Sequence, residues 1–112
     1  MEKYTWPKTI DLLGHKYRII YAHPPTKRWK DAEGLVRIHK QVIYIDPVLQ
    51  GSARAATLLH EILHVIDYHV FGNRLFGSAQ DPEERIDVFS AALFQIMRAN
   101  GFLLGQSRKG HN

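Results

Sequence analysis

Between Ser52 and about Val70 apolar residues recur at steps of three and four, with Leu59, Ile62, Leu63 and Ile66 on one stripe. That is the period of a helix with a buried face. The Ser52 hydroxyl can cap its start, and Phe71-Gly72-Asn73 breaks it. After a loop reaching Gln80, a second helix is expected, with Asp81 at the N-cap, Pro82 at the first position and Glu84 at N3, a capping box. Ile86, Phe89, Leu93 and Met97 continue it to a stop at Asn100-Gly101. The first half of the chain has another rhythm. Thr9–Leu13 and Lys16–Ala22 are rich in β-branched and aromatic residues, with Gly14-His15 as the turn between them and His23-Pro24-Pro25 as the end of the second strand. Polar residues 26–34 read as a surface loop, and Leu35–Ile38 with Gln41–Ile45 as a second hairpin stopped by Asp46-Pro47. Strands first and helices second predict an α+β fold, a small antiparallel sheet packed on the first long helix with the second helix beside it.

At 112 residues, 45% hydrophobic and 23% charged, the chain is expected to form one domain spanning 1–112, with a basic flexible tail from about 105 to 112. It contains no cysteine. Disulfide frameworks, thiolate zinc fingers, iron–sulfur centres and cysteine nucleophiles are thereby excluded, and any metal must sit on nitrogen and oxygen. The opening MEKYTWPKTIDLL has no apolar stretch of signal-peptide length, and no later segment approaches 18 uninterrupted apolar residues. A cytoplasmic protein without membrane contact is expected. The net charge of +4 is uneven: residues 1–40 hold nine Lys or Arg against four acids, whereas residues 41–100 hold four against seven. Lys27, Arg28, Trp29 and Lys30 could mark a nucleic-acid footprint. No nucleic-acid motif accompanies them, and an ordinary solvated face is the simpler expectation.

The first helix contains His60-Glu61-Ile62-Leu63-His64, the H-E-x-x-H pattern. Residues i and i+4 of a helix lie about 6 Å apart along the axis and about 40° apart around it, so both imidazoles can reach one ion. Glu61 is turned by about 100° from His60, too far to share that ion and near enough to hold a water beside it. The spacing separates two ligands from one base. Random order of seven His and five Glu would produce the pattern with a probability of roughly 2%, so chance is a poor account of it. Zinc suits such a set, because it leaves a position for a water whose pKa the ion lowers toward ~7, and Glu61 can then take the proton during hydrolysis of a peptide bond.

Such a site needs a third protein ligand. Position 70 is Val, so the metzincin pattern fails, and His69 lies about 140° round the helix from His64, where a packing or surface role is expected. Asp67 shares the His60/His64 face one turn past the ion, which suits a role behind the ligands or in solvent. Glu83 and Glu84 of the second helix are the remaining candidates. Glu83 is favoured, since Glu84 serves the capping box and Asp87, four residues after Glu83, can accept the free ring N–H of a ligating histidine. Tyr44, Tyr68, His39 and His69 are available as donors to a developing oxyanion, and the sequence does not choose among them.

His60-Glu61-x-x-His64 followed by Glu83-x-x-Ile86-Asp87-x-Phe89-Ser90-Ala91-x-Leu93 resembles the gluzincin arrangement, and most closely the compact ImmA/IrrE-type metallopeptidases of bacteria, prophages and mobile elements. The resemblance spans about residues 33–97. It keeps the acid, the Asp and the Phe of that family's second motif, with Ile86 and Ser90 where the family has small residues. It implies a minimal zincin fold, zinc on His60, His64 and Glu83, Glu61 as general base, and the Leu35–Ile45 hairpin beside the cleft as an edge for an extended substrate. It further implies a protein or peptide substrate, with repressor-type regulators as the family's known targets. Two other readings fit the sequence: a catalytically inert zincin-shaped binding module, and a basic nucleic-acid-binding domain in which the histidines are incidental.

Overall fold

The computed structural model describes residues 6–75 and 82–99, without the side chains of residues 82, 92 and 95–99. Its strands are β1 (Thr9–Leu12), β2 (His15–Ile20), β3 (Gly34–Arg37) and β4 (Val42–Ile45), followed by helices α1 (Gly51–Phe71) and α2 (Pro82–Ala99). Both hairpins form where the alternation of residues predicts them. The first turn, however, is Leu13-Gly14, because Leu12 pairs with His15 and both turn residues have positive φ, 59° and 85°. Two consecutive left-handed residues match the twist of a tight hairpin, and the Gly14 N–H donates to Asp11 Oδ1 at 2.8 Å. Leu13 is a costly occupant of that conformation and is 60% exposed, so it gains little from burial. Leu13→Asn is expected to raise stability by about 0.5–1 kcal/mol in urea denaturation, and a loss would show that the leucine is held by packing.

The sheet is mixed, and the antiparallel sheet expected from the sequence is corrected at one junction. The strand order is β1-β2-β4-β3, with β2 and β4 parallel and the outer pairs antiparallel. Each hairpin places its second, more apolar strand at the centre, where Tyr17, Ile19, Val42, Ile43 and Ile45 are buried, and the direction in which those two strands pair is a long-range choice that local hairpin signals leave open. Residues 26–34, read as a loop, contain one 3-10 turn, Lys27–Trp29.

Helix α1 lies between the sheet and α2. Leu58, Ile62 and Val65 join Leu12, Tyr17, Ile19, Ile43 and Ile45 in the main core, while Ala55 and Leu59 pack on Phe94 and Leu63 packs on Ile86. The single apolar stripe of the sequence is thus two adjoining faces, as a middle-layer helix requires. Ser52 does not cap α1. Gln50 occupies the cap in extended conformation and its carbonyl accepts the Arg54 N–H, so Ser52 falls inside the first turn. At the other end Gly72, in the left-handed conformation, closes the helix by donating to the Asp67 carbonyl. The Asp81 cap, the Asn100-Gly101 stop and the basic tail lie outside the described residues. No helix among the described residues is long and apolar enough to cross a membrane.

Candidate metal centre

Helix α1 presents His60 and His64 one turn apart on the side facing α2. Ile86 is fully buried against Leu63, and Ser90, one turn on, is buried as well, so this face of α2 is seated against α1. Glu83 and Asp87 flank Ile86 on α2 and are carried to the histidines, while Glu84, about 100° round from Glu83, is not among the grouped residues. His60 Nε2 lies 3.2 Å from Glu83 Oε2, His64 Nε2 lies 3.1 Å from Glu83 Oε1, and the two ring nitrogens are 3.2 Å apart. Donors bound to one tetrahedral zinc at about 2.0–2.1 Å stand roughly 3.3 Å from one another. The group His60, His64 and Glu83 could therefore hold a metal ion with little rearrangement.

Asp87 sets the tautomer of His60. Its Oδ1 lies 2.8 Å from His60 Nδ1, so that nitrogen carries the hydrogen and donates it, leaving the Nε2 lone pair directed at the centre. The Ser90 hydroxyl donates to the Asp87 carbonyl at 3.1 Å and ties down the turn that carries the aspartate. Burial holds His64 below the usual imidazole range, against the opposing pull of Glu83. Burial thus favours the neutral His64 ring, the form that ligates metals.

Glu61 is buried at 6% exposure, with Oε2 3.9 Å from His60 Nε2. Burial chiefly, then the negative charges of Glu83 and Asp87, push its pKa up to about 8. It stands beside the donor group without belonging to it. A carboxyl of this kind can exchange a proton near neutrality.

An open cleft of about 1050 Å³ runs past these residues, walled on one side by β3 and on the other by α2. Tyr68 and His39 line it, their rings edge to face at 6.5 Å, whereas Tyr44 and His69 do not line it. His69 instead accepts or donates a 2.8 Å hydrogen bond with the Tyr17 hydroxyl and stacks on His15 at 3.9 Å, a packing role as its helix position indicates. Asp67 is buried rather than in solvent, and its negative charge acts on His64. It is 1% exposed, its carboxylate accepts the Leu75 N–H at 2.9 Å, and its carbonyl accepts the Asn73 N–H at 3.0 Å, so it anchors the chain leaving α1.

Strand β3 is the sheet edge beside the cleft. The Asp46 N–H donates to the Glu33 carbonyl at 2.8 Å, which sets the alternation of the β3–β4 ladder. Leu35 and Arg37 consequently turn their backbone groups to β4, and Gly34 and Val36 turn theirs outward. Sequence reasoning had no means of finding Gly34. Its signal is a close approach between distant segments, and only the packed α1–β3 contact reveals it. Comparisons with known protein families, curated proteins and solved structures find no match for this chain, so the chemistry of the site carries the functional reading.

Proposed function

We propose that this protein is a zinc-dependent endopeptidase of the zincin type, acting on an extended segment of a cytoplasmic protein. The observation that carries the reading is the convergence of His60 Nε2, His64 Nε2 and a Glu83 carboxylate at 3.1–3.2 Å, beside a buried carboxyl that does not join them. His60, His64 and Glu83 would hold the zinc, which would supply Lewis acidity toward the scissile carbonyl and water. Glu61 takes a proton from the attacking water as the carbon–oxygen bond forms, then hands it to the amide nitrogen as the carbon–nitrogen bond breaks. The products are a carboxylic acid and an amine, which at neutral pH become a carboxylate and an ammonium. Asp87 keeps His60 in the ligating tautomer. Gly34 and Val36 offer outward backbone groups to which an extended peptide can add as a strand, and Tyr68 and His39 are the donors in the cleft for the developing oxyanion. The resemblance to ImmA/IrrE-type metallopeptidases agrees with this chemistry and points to a repressor-type regulator as substrate.

Protein purified without added metal is expected to carry stoichiometric zinc by elemental analysis and to cleave unfolded or repressor-type proteins. A chelator should stop cleavage and zinc should restore it. If the zinc-loaded chain cleaves none of a broad panel of such proteins, the peptidase reading fails and a non-hydrolytic metal-binding module takes its place. Tight, steeply salt-dependent nucleic-acid binding that survives the chelator would favour the basic-domain reading instead.

A further inference from the structure

Gly34 opens β3 directly beneath the turn of α1 that carries Glu61. A Cβ placed on it would stand 2.8 Å from Glu61 Oε2, 3.0 Å from Glu61 Cγ and 2.9 Å from Thr57 Cγ2. All three are inside the roughly 3.5 Å at which carbon atoms reach optimal contact. Gly34 does not have a positive φ, so its backbone would accept alanine and only the neighbours object. We infer that Gly34 is a positioning residue for Glu61: the missing side chain is the space in which the carboxylate lies, buried against the edge strand and aimed at the donor group. This rests on the role of Glu61 proposed above.

The direction of yielding follows from the chemistry of the neighbours. Thr57 is β-branched and held to few rotamers on its helix, whereas Glu61 meets the new atom with its Cγ and carboxylate, both of which move when its side-chain torsions rotate. With the Thr57 methyl removed, alanine at position 34 would therefore push the carboxylate outward into the cleft and leave the α1–β3 contact largely intact. Gly34 also carries one of the two outward-facing backbone pairs of the edge. General base and substrate-pairing edge thus meet at one residue with no side chain between them. A displacement of about 1 Å in a catalytic group can cost ~100-fold in rate.

Thr57→Ser removes the methyl that the new Cβ would touch, so Gly34→Ala in that background isolates the contact with Glu61. Compared with Thr57→Ser alone, the double variant is expected to bind zinc with unchanged stoichiometry and lose about 100-fold in kcat with KM nearly unchanged. Crystal structures of the two metal-free proteins should show the Glu61 carboxylate moved away from position 34. A carboxylate that has not moved, or a kcat within about twofold, overturns the inference. If the unsubstituted protein hydrolyses nothing, the peptidase reading fails by itself, and the two crystal structures still decide whether Gly34 seats Glu61. A thermal cycle in the Thr57→Ser background covers a poorly folding variant: the Tm lost on Gly34→Ala should largely vanish when Glu61 is also Ala, and an equal loss with and without Glu61 overturns the contact.

Discussion

On the proposed function, Glu61→Gln is expected to abolish hydrolysis, to leave zinc bound, and to make the metal-free protein progressively more stable than the unsubstituted one as pH rises from about 5 to 9. The first part follows from the separation of roles on α1. Glutamine keeps the size of the side chain but cannot accept the proton, and general acid–base catalysis contributes about 10²–10⁴ in rate. The atoms of His60, His64 and Glu83 that could hold the ion are untouched. The second part follows from where the carboxyl sits. Burial and the nearby Glu83 and Asp87 raise its pKa from 4.5 to about 8, so the folded metal-free protein holds a proton that the unfolded chain releases. The associated stability is complete below the unfolded value of 4.5 and is lost as pH climbs through about 8. Each tenfold gain in proton affinity on folding is worth about 1.4 kcal/mol, so the total is on the order of a few kcal/mol. The Gln variant has no such proton to lose. Denaturation curves of both metal-free proteins across that range measure it. Parallel curves would deny the buried charge, and a rate within about tenfold of the unsubstituted protein would remove Glu61 as the base.

The second large effect separates neighbouring acids. Glu83→Ala is expected to weaken zinc binding by more than about 100-fold, since it removes one of three donors, while Glu84→Ala costs only the ~1 kcal/mol of a lost cap. Asp87→Asn should fall between, at about 10–100-fold, because an amide oxygen holds the His60 N–H less firmly than a carboxylate does. Competition against a chromophoric chelator reads these affinities directly. The zinc-induced rise in Tm gives an independent measure, since ligand at 100 times its Kd stabilises by about 2.7 kcal/mol and a lost ligand erases most of that. If Glu84→Ala is the variant that releases zinc, the third donor is reassigned.

These effects depend on features that differ in how far they could be read from residue order. The alternation in β1 to β4 marked four strands, but the direction in which the two hairpins would join was invisible, because hairpin signals are local and the joining of β2 to β4 is not. The capping role assigned to Ser52 failed for a similar reason. Several positions could begin the helix, and the Arg54 N–H bond to the Gln50 carbonyl selected one of them. Asp67 shared a face with the histidines by helical arithmetic, yet the chain leaving α1 folded back and engaged it through Leu75 and Asn73.

Residue order alone was enough for the pairing of His60 with His64 and the offset of Glu61, because the pitch of an α-helix places those three side chains whatever surrounds it. Packing chose Glu83 over Glu84, through the burial of Ile86 against Leu63, and packing put Glu61 against a residue with no side chain. The distinction is one of range. Contacts within a turn are set by backbone geometry shared by all helices, whereas contacts between α1, α2 and β3 depend on how whole faces bury their apolar surface.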